Sequence, residues 1–198
     1  LFDPTAGTRA LRAFVGAAVL LQLAAALPAA AQETFTKDDL ANLLRVKVRT
    51  VQHMALNPLL IRAAREQNAR GLSLQEIKRR DDEWKASKEL TPFKRQLQSS
   101  PAGQFLKRQV ERSDSFNEAF LTDNQGANVA AYPATSDYWQ GDEAKFKDSF
   151  AGGKGALHLS DVEFDDSTQA YLVQVSVPVK DKGKLIGAIT FGIDLDKM

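Results

Sequence analysis

Cysteine is absent from the 198 residues of the chain. Its absence excludes a disulfide framework, a thiolate metal site and a cysteine nucleophile. Histidine is scarce: His53 and His158 lie more than 100 residues apart, and neither has a second ligand at metal-binding spacing. The chain has no Gly-x-Ser-x-Gly motif, and Gly152–Gly155 lacks the Ser or Thr of a phosphate-binding loop. We therefore expect no enzyme, no cofactor and no metal site.

Long apolar runs are equally scarce. The single run, Phe14–Leu27, is 14 residues long, shorter than the ~20 residues that span a bilayer as a helix. Arg9 and Arg12 precede this run, and the small residues Ala29–Ala31 follow it. This order is typical of a cleaved export signal. We expect residues 1–31 to be a signal peptide and the mature protein to be periplasmic or secreted; an uncleaved membrane anchor is the alternative.

The mature chain has no overall excess of charge, but its two halves differ. Residues 32–112 contain 17 Lys and Arg against 10 Asp and Glu, and residues 113–198 contain 7 against 14. Basic helices beside an acidic sheet explain this division. Because the basic residues lack a set of aromatic stacking partners, we expect no nucleic-acid binding.

Residues 32–115 show helical patterns. Thr36 is a candidate N-cap, and apolar residues then recur at helical spacing from Leu40 to Ala55. Asn57–Pro58 starts a second helix that closes at Gly71, and Ser73–Glu76 is a capping-box pattern before a helix carrying Ile77 and Trp84. Ser100–Pro101 starts a further short helix. We expect these helices to form one layer.

After Asp114 the apolar period changes from 3.6 to 2, which indicates strands. Phe116 and Phe120 are expected on one face of the first strand. Alternation over Tyr171–Val177 and Leu185–Leu195, with the polar turn Lys180–Lys184 between them, predicts a closing hairpin. Helices followed by strands predict an α+β fold, with a long amino-terminal helical layer on one face of a central antiparallel sheet. The sheet is assigned to residues 116–198.

A hairpin and a polar, aromatic connector form the most informative segment. Asn124–Gly126 joins two strands, and Thr135–Glu143 then concentrates carboxylates, aromatic rings and hydroxyls. We expect this connector to roof a pocket on the sheet face opposite the helices, for a ligand with a cationic or hydrogen-bond-donating end. The candidate ligand-binding residues are Tyr132, Thr135, Asp137, Tyr138, Trp139 and Asp165.

Three of these assignments have a structural alternative. Asp137, with Gln140, also fits a helix N-cap, and Trp139 shares a helical stripe with Phe146 and Phe150 that suits core packing. The Asp165–Thr168 segment is also ordinary turn chemistry. A further alternative is a Ca²⁺ site in the acidic group Asp161, Glu163, Asp165 and Asp166, although no fixed loop spacing supports it.

Several segments resemble a known family. Thr122–Asp123-x-x-Gly126-x-x-Val129, Thr135–Glu143, Val175–Val179 and Gly187–Asp194 are similar to segments of Cache sensor domains, also called PDC domains. The resemblance covers residues 36–198. It implies a PAS-like single Cache domain that senses a small molecule outside the cytoplasm and signals through a membrane-bound receptor or kinase.

The resemblance leaves two matters open. Because the sequence ends directly after the last strand, we expect a free-standing module; the alternative is an interaction or accessory protein with a vestigial pocket. Amino-acid-binding Cache domains also share a Tyr-x-Arg-x-Trp pattern, but the last arginine of this chain is Arg112. Either Arg108 or Arg112 supplies the cation from the helical half, or the ligand is not a carboxylate.

Overall fold

The computed structural model describes the backbone of residues 37–165 and 170–198, and the side chains of residues 41–164 and 170–198. Residues Ala41–Met198 form one compact unit. The expected signal peptide, the N-cap Thr36 and residues 166–169 lie outside the described residues. Within the described ranges, no helix has both the length and the apolar character needed to cross a membrane.

Five helices precede the first strand in this part of the chain. They are α1 (Lys37–Met54), α2 (Pro58–Ala69), α3 (Leu74–Lys85), α4 (Pro92–Ser99) and α5 (Pro101–Glu111).

Local capping explains where these helices begin. The side chains of Asn57, Ser73 and Ser100 accept hydrogen bonds from backbone N–H groups in the first turns of α2, α3 and α5. These three starts confirm the sequence prediction. Helix α4 was not predicted, although Thr91 caps it and Pro92 opens it in the same way.

The strands form one antiparallel sheet. They are β1 (Phe116–Thr122), β2 (Asn128–Tyr132), β3 (His158–Leu159), β4 (Glu163–Asp165), β5 (Ala170–Asp181) and β6 (Lys184–Asp194), and a short helix, α6 (Ala144–Phe150), follows β2. The strand order is β2-β1-β6-β5-β3, and β4 also pairs with β5. The predicted α+β fold is confirmed.

The helical layer covers one face of the sheet. Val51, Leu60, Ala64 and Leu106 from the helices share one apolar cluster with strand residues that include Val177, Ile189 and Phe191. Fully burying a side chain of this kind stabilises the fold by roughly 1.5–3 kcal/mol. The stripe predicted on the first helix contributes Leu44 and Val48, which pack partly buried against this cluster.

One prediction about the faces of β1 is wrong. Phe116 packs in the helix-facing cluster, with its ring centroid 4.8 Å from that of Phe191. Phe120 instead faces the other side of the sheet, where the Lys145 ammonium lies 5.6 Å from its ring centroid. The pairing of β1 with β6 shifts register between Phe116 and Glu118, and this bulge adds a residue that reverses the alternation.

Candidate functional site

The connector between β2 and α6 packs along the β1–β2 turn. The Asn128 N–H donates to the Tyr138 carbonyl, and the Gln140 N–H donates to the Gly126 carbonyl. Gly126 has φ 84°, and a Cβ on it would lie 2.5 Å from the Gly141 Cα. A side chain at Gly126 would therefore both strain the turn and displace the connector.

A buried carboxylate on α3 fixes the connector from the other side. Asp81 Oδ1 accepts hydrogen bonds from the backbone N–H groups of Tyr138 (2.8 Å) and Trp139 (3.0 Å). Trp84 Nε1–H donates to the Thr135 carbonyl at 2.8 Å. Sequence reasoning missed Asp81. Its signal was a carboxylate on the apolar stripe of α3, between Ile77 and Trp84, where an unpaired charge would be costly.

Two predicted residues form the inner part of the connector. Thr135 Oγ1 accepts a hydrogen bond from Asn128 Nδ2 and donates to the Asp137 carbonyl. The Asp137 carboxylate is half-buried and accepts from the Gln140 side-chain amide. Asp137 is not an N-cap, because α6 begins only at Ala144, after Glu143. That alternative for Asp137 is wrong.

The other predicted residues have different surroundings. Tyr138 is buried, and its hydroxyl accepts a hydrogen bond from Gln67 Nε2 at 3.1 Å. Trp139 packs at the edge of a second, small core formed by Ile77, Trp84, Leu97, Ala127 and Tyr138, and its Nε1–H donates to the Gln125 carbonyl. Because Trp139 precedes α6, it does not share a helical stripe with Phe146 and Phe150, and that prediction is wrong. The Tyr132 hydroxyl donates to Glu111, and this bond raises the pKa of Tyr132. The side chain of Asp165 lies outside the described residues.

A cavity of about 490 Å³ lies on the sheet face opposite the helical layer. The connector covers it through Thr135, Ser136 and Gln140, and Phe120 and Gln174 belong to its sheet side. We call it the connector cavity. Thr135 is the predicted site residue that lines it; Tyr138 does not.

The charges in the connector cavity come from side chains other than the six predicted ligand-binding residues. Glu118 is half-buried and accepts a hydrogen bond from Gln174 Nε2 at 2.7 Å. Glu163 and Lys145 also line the cavity, and Lys145 Nζ lies 3.7 Å from Glu143 Oε2. The β1 bulge places Glu118 on this face beside Phe120. The site thus offers carboxylates, one ammonium group and an aromatic surface.

A second cavity, of about 640 Å³, lies on the helical side and is lined by residues from α2, α3, α4, α5 and β2 together with Tyr138. We call it the helical cavity. The residues expected at one site are therefore divided: Thr135 lines the connector cavity and Tyr138 lines the helical cavity. Among the described residues, neither cavity is lined by Arg108 or Arg112.

Asp123 lies behind Tyr138 as a buried carboxylate. Its Oδ1 accepts hydrogen bonds from the N–H groups of Gln125 (2.8 Å) and Ala127 (3.0 Å), which close the β1–β2 turn. Burial raises the pKa of Asp123 above its ordinary value of 3.8, although these hydrogen bonds oppose the shift. Burial, followed by the charge of Asp123, also raises the pKa of Tyr138.

The raised pKa of Asp123 gives a pH-dependent term in the free energy of unfolding. An acid whose folded pKa exceeds its unfolded pKa stabilises the fold at low pH, and this contribution disappears as pH rises through the folded pKa. Asp123→Asn keeps the Oδ1 acceptor without the charge. We expect its stability relative to wild type to rise from pH 3.5 to 7, measured by urea unfolding. A constant difference would contradict the raised pKa.

Comparison of the sequence with protein-family models and with curated proteins finds no match. Solved structures do resemble the chain in fold. The ligand-binding domain of the Pseudomonas aeruginosa PAO1 amino-acid chemoreceptor PctC, in complex with GABA, matches 80% of this chain with a TM-score of 0.45 and 17% identity. The sensor domain of the Vibrio cholerae histidine kinase DctB matches 80% with a TM-score of 0.47 and 14% identity.

The ligand-binding domain of the Campylobacter jejuni chemoreceptor Tlp3, in complex with 4-methylisoleucine, matches 77% of this chain with a TM-score of 0.38 and 16% identity. The chain spans 51–56% of the length of these three solved chains. All three are sensor or ligand-binding domains. At these scores and identities the likeness is one of fold, and it is partial.

Proposed function

We propose that this protein is an extracytoplasmic module that senses a small molecule in the connector cavity and passes its occupancy to a membrane-bound receptor or kinase. The observation that carries this proposal is the half-buried carboxylate of Glu118, placed beside the Phe120 ring under the roof formed by Thr135 and Gln140. A concave, partly apolar cavity with a few convergent polar groups is the usual form of a small-molecule site, and 490 Å³ lies within the usual range of volumes.

The charges of the cavity indicate the class of ligand. Glu118 and Glu163 attract a cationic or hydrogen-bond-donating end, and Phe120 covers the apolar part of the molecule. Lys145 is half-buried within the same lining and offers a partner for an anionic group. Small amines and zwitterions therefore fit this cavity best. Thr135, Asp137 and Asp165 stay candidates for further contacts on the connector side.

A ligand screen tests the proposal. A thermal-shift screen with amines, amino acids and short carboxylates should find a stabilising amine or zwitterion. Glu118→Gln should weaken its binding by about tenfold to a hundredfold in calorimetry, because one charge-assisted hydrogen bond is lost.

Asp82→Asn is the matched control, because it removes one exposed carboxylate on α3, outside the cavity lining. Equal binding by wild type and Glu118→Gln would exclude Glu118 from the site. If no amine or zwitterion in the screen stabilises the protein, the result contradicts the proposed sensing role.

An interaction or accessory protein is the second candidate, and an exposed apolar edge of the sheet favours it. Phe164 and Tyr171 are 49% and 51% exposed, and their ring centroids lie 5.1 Å apart. Leu157, Leu159 and Val162 are similarly exposed in the preceding segment. An apolar patch of this kind is typical of an interaction surface. Tyr171 lies outside the lining of the connector cavity, so if Tyr171→Ser abolishes pull-down of a membrane partner while ligand binding persists, the edge and the cavity have separate roles.

A further inference from the structure

The helical cavity differs from the connector cavity in charge. Its lining contains the guanidinium groups of Arg62, Arg70 and Arg80, against the carboxylate of Glu66. Within residues 41–164 and 170–198, neither Arg62 nor Arg70 forms a salt bridge, and both side chains are exposed. Arg80 is half-buried and forms a salt bridge with Glu76, and its guanidinium carbon lies 6.0 Å from the Phe93 ring centroid. This distribution makes the cavity attractive to an anion.

Two helix N-termini add to the positive potential. The first residues of α2, Pro58 and Leu59, line the helical cavity, and so do the first residues of α5, Pro101 and Ala102. The N-terminal end of a helix dipole stabilises negative charge within its first turn. The helix N-termini and the guanidinium groups of Arg62 and Arg70 therefore favour the same sign of charge in the ligand.

The cavity is lined by two aromatic rings and by a buried asparagine that has one unused acceptor. Phe93 and Tyr138 contribute rings whose centroids lie 5.1 Å apart. Asn128 is buried and lines the cavity; its Nδ2 donates to Thr135 Oγ1 and to the Asp137 carbonyl. These two bonds fix the orientation of the amide. Its Oδ1 has no hydrogen-bond partner among the described residues, so a ligand with a donor at its inner end would satisfy it.

We infer that the helical cavity is a second binding site, which takes a small organic anion with an aromatic or apolar body and a hydroxyl donor at the opposite end. The volume of about 640 Å³ accommodates such a molecule. The arginines hold the anionic group at the mouth, and the rings of Phe93 and Tyr138 cover the body. This site is independent of the amine or zwitterion site proposed for the connector cavity.

Three probes of similar size separate the chemical requirements. 4-Hydroxyphenylacetate has the anion, the ring and the donor; phenylacetate lacks the donor, and tyramine replaces the anion with a cation. In calorimetry with the chain, we expect 4-hydroxyphenylacetate to bind most tightly and phenylacetate to bind more weakly. Tyramine should neither bind this cavity nor displace 4-hydroxyphenylacetate from it.

Substitution of lining arginines tests whether 4-hydroxyphenylacetate binds in the helical cavity. Arg62→Gln combined with Arg70→Gln should weaken 4-hydroxyphenylacetate about tenfold or more, because two charge-assisted contacts are lost. Both side chains are exposed, so folding should persist. The control, Arg49→Gln with Arg112→Gln, removes the same charge from exposed helical-layer positions outside this lining and should leave binding unchanged.

The effect of Glu118→Gln on 4-hydroxyphenylacetate binding distinguishes this inference from the proposed function. Glu118→Gln should leave 4-hydroxyphenylacetate binding intact while it weakens binding of an amine. If Glu118→Gln abolishes 4-hydroxyphenylacetate binding and the arginine variant does not, the anion occupies the connector cavity and the inference is wrong. Absence of binding by both anionic probes at millimolar concentration would also overturn it.

Discussion

Ile189→Asp is expected to unfold the domain. Ile189 is fully buried in β6, where it pairs with Leu121 of β1 and Val177 of β5, and all three residues belong to the cluster beneath the helices. A carboxylate there has no partner, so it must be buried unpaired or protonated, and the apolar burial of isoleucine is lost as well. We expect a loss of more than about 4 kcal/mol. The total stability of a domain is about 5–15 kcal/mol.

Circular dichroism and urea unfolding would measure this effect. Leu56→Asp is the matched control, because Leu56 lies in the helical half and is 67% exposed. The control should unfold within about 0.5 kcal/mol of wild type. A folded Ile189→Asp protein with an unchanged urea midpoint would be incompatible with a helical layer on this face of the sheet.

Asp81→Ala is expected to release the connector. The substitution removes the acceptor of the Tyr138 and Trp139 N–H groups. A buried donor that loses its partner costs about 1–3 kcal/mol, so the loss of two such contacts should lower the free energy of unfolding by about 2–6 kcal/mol. Because the same connector roofs the connector cavity, ligand binding there should also weaken. Urea unfolding and calorimetry with the ligand found in the screen measure the two effects.

Asp81→Asn separates the effect of the hydrogen-bond acceptor from the effect of the negative charge of Asp81. Asparagine keeps an oxygen for the two N–H groups and loses the ion pair with Lys85, whose side chain is 51% exposed. An exposed partner contributes little, so Asp81→Asn should cost about 1 kcal/mol or less. If Asp81→Asn is as unstable as Asp81→Ala, the charge of Asp81, rather than its acceptor role, holds the connector.

Local sequence signals were sufficient where the cause of a structure is local. Asn57–Pro58, Ser73–Glu76 and Ser100–Pro101 predict helix starts because a capping side chain reaches a backbone N–H only two or three residues away. Thr91–Pro92 carries the same signal; helix α4 was therefore predictable from the sequence. Gly126 likewise predicts the β1–β2 turn, because glycine adopts positive φ without steric cost. The observed φ of Gly126 is 84°.

The faces of β1 depend on a partner strand that is distant in the sequence. The pairing with β6 shifts register between Phe116 and Glu118, and this shift places Phe116 and Phe120 on opposite faces. The spacing of the two residues assumes an uninterrupted period of 2, and the sequence of β1 alone contains no signal of the bulge. The same bulge places Glu118 in the connector cavity.

The sequence by itself determined that helices precede strands, that the helices form a layer on an antiparallel sheet, and that the connector is the most polar and aromatic segment. These features follow from capping, periodicity and turn chemistry, which act over a few residues. Only the tertiary structure decided that Thr135 and Tyr138 line different cavities and that Glu118 and the arginines of the helical layer supply the charges. The connector adopts its path because Asp81, Ala127 and Gln125 bind it, and contacts between residues so distant in the chain have no local signature.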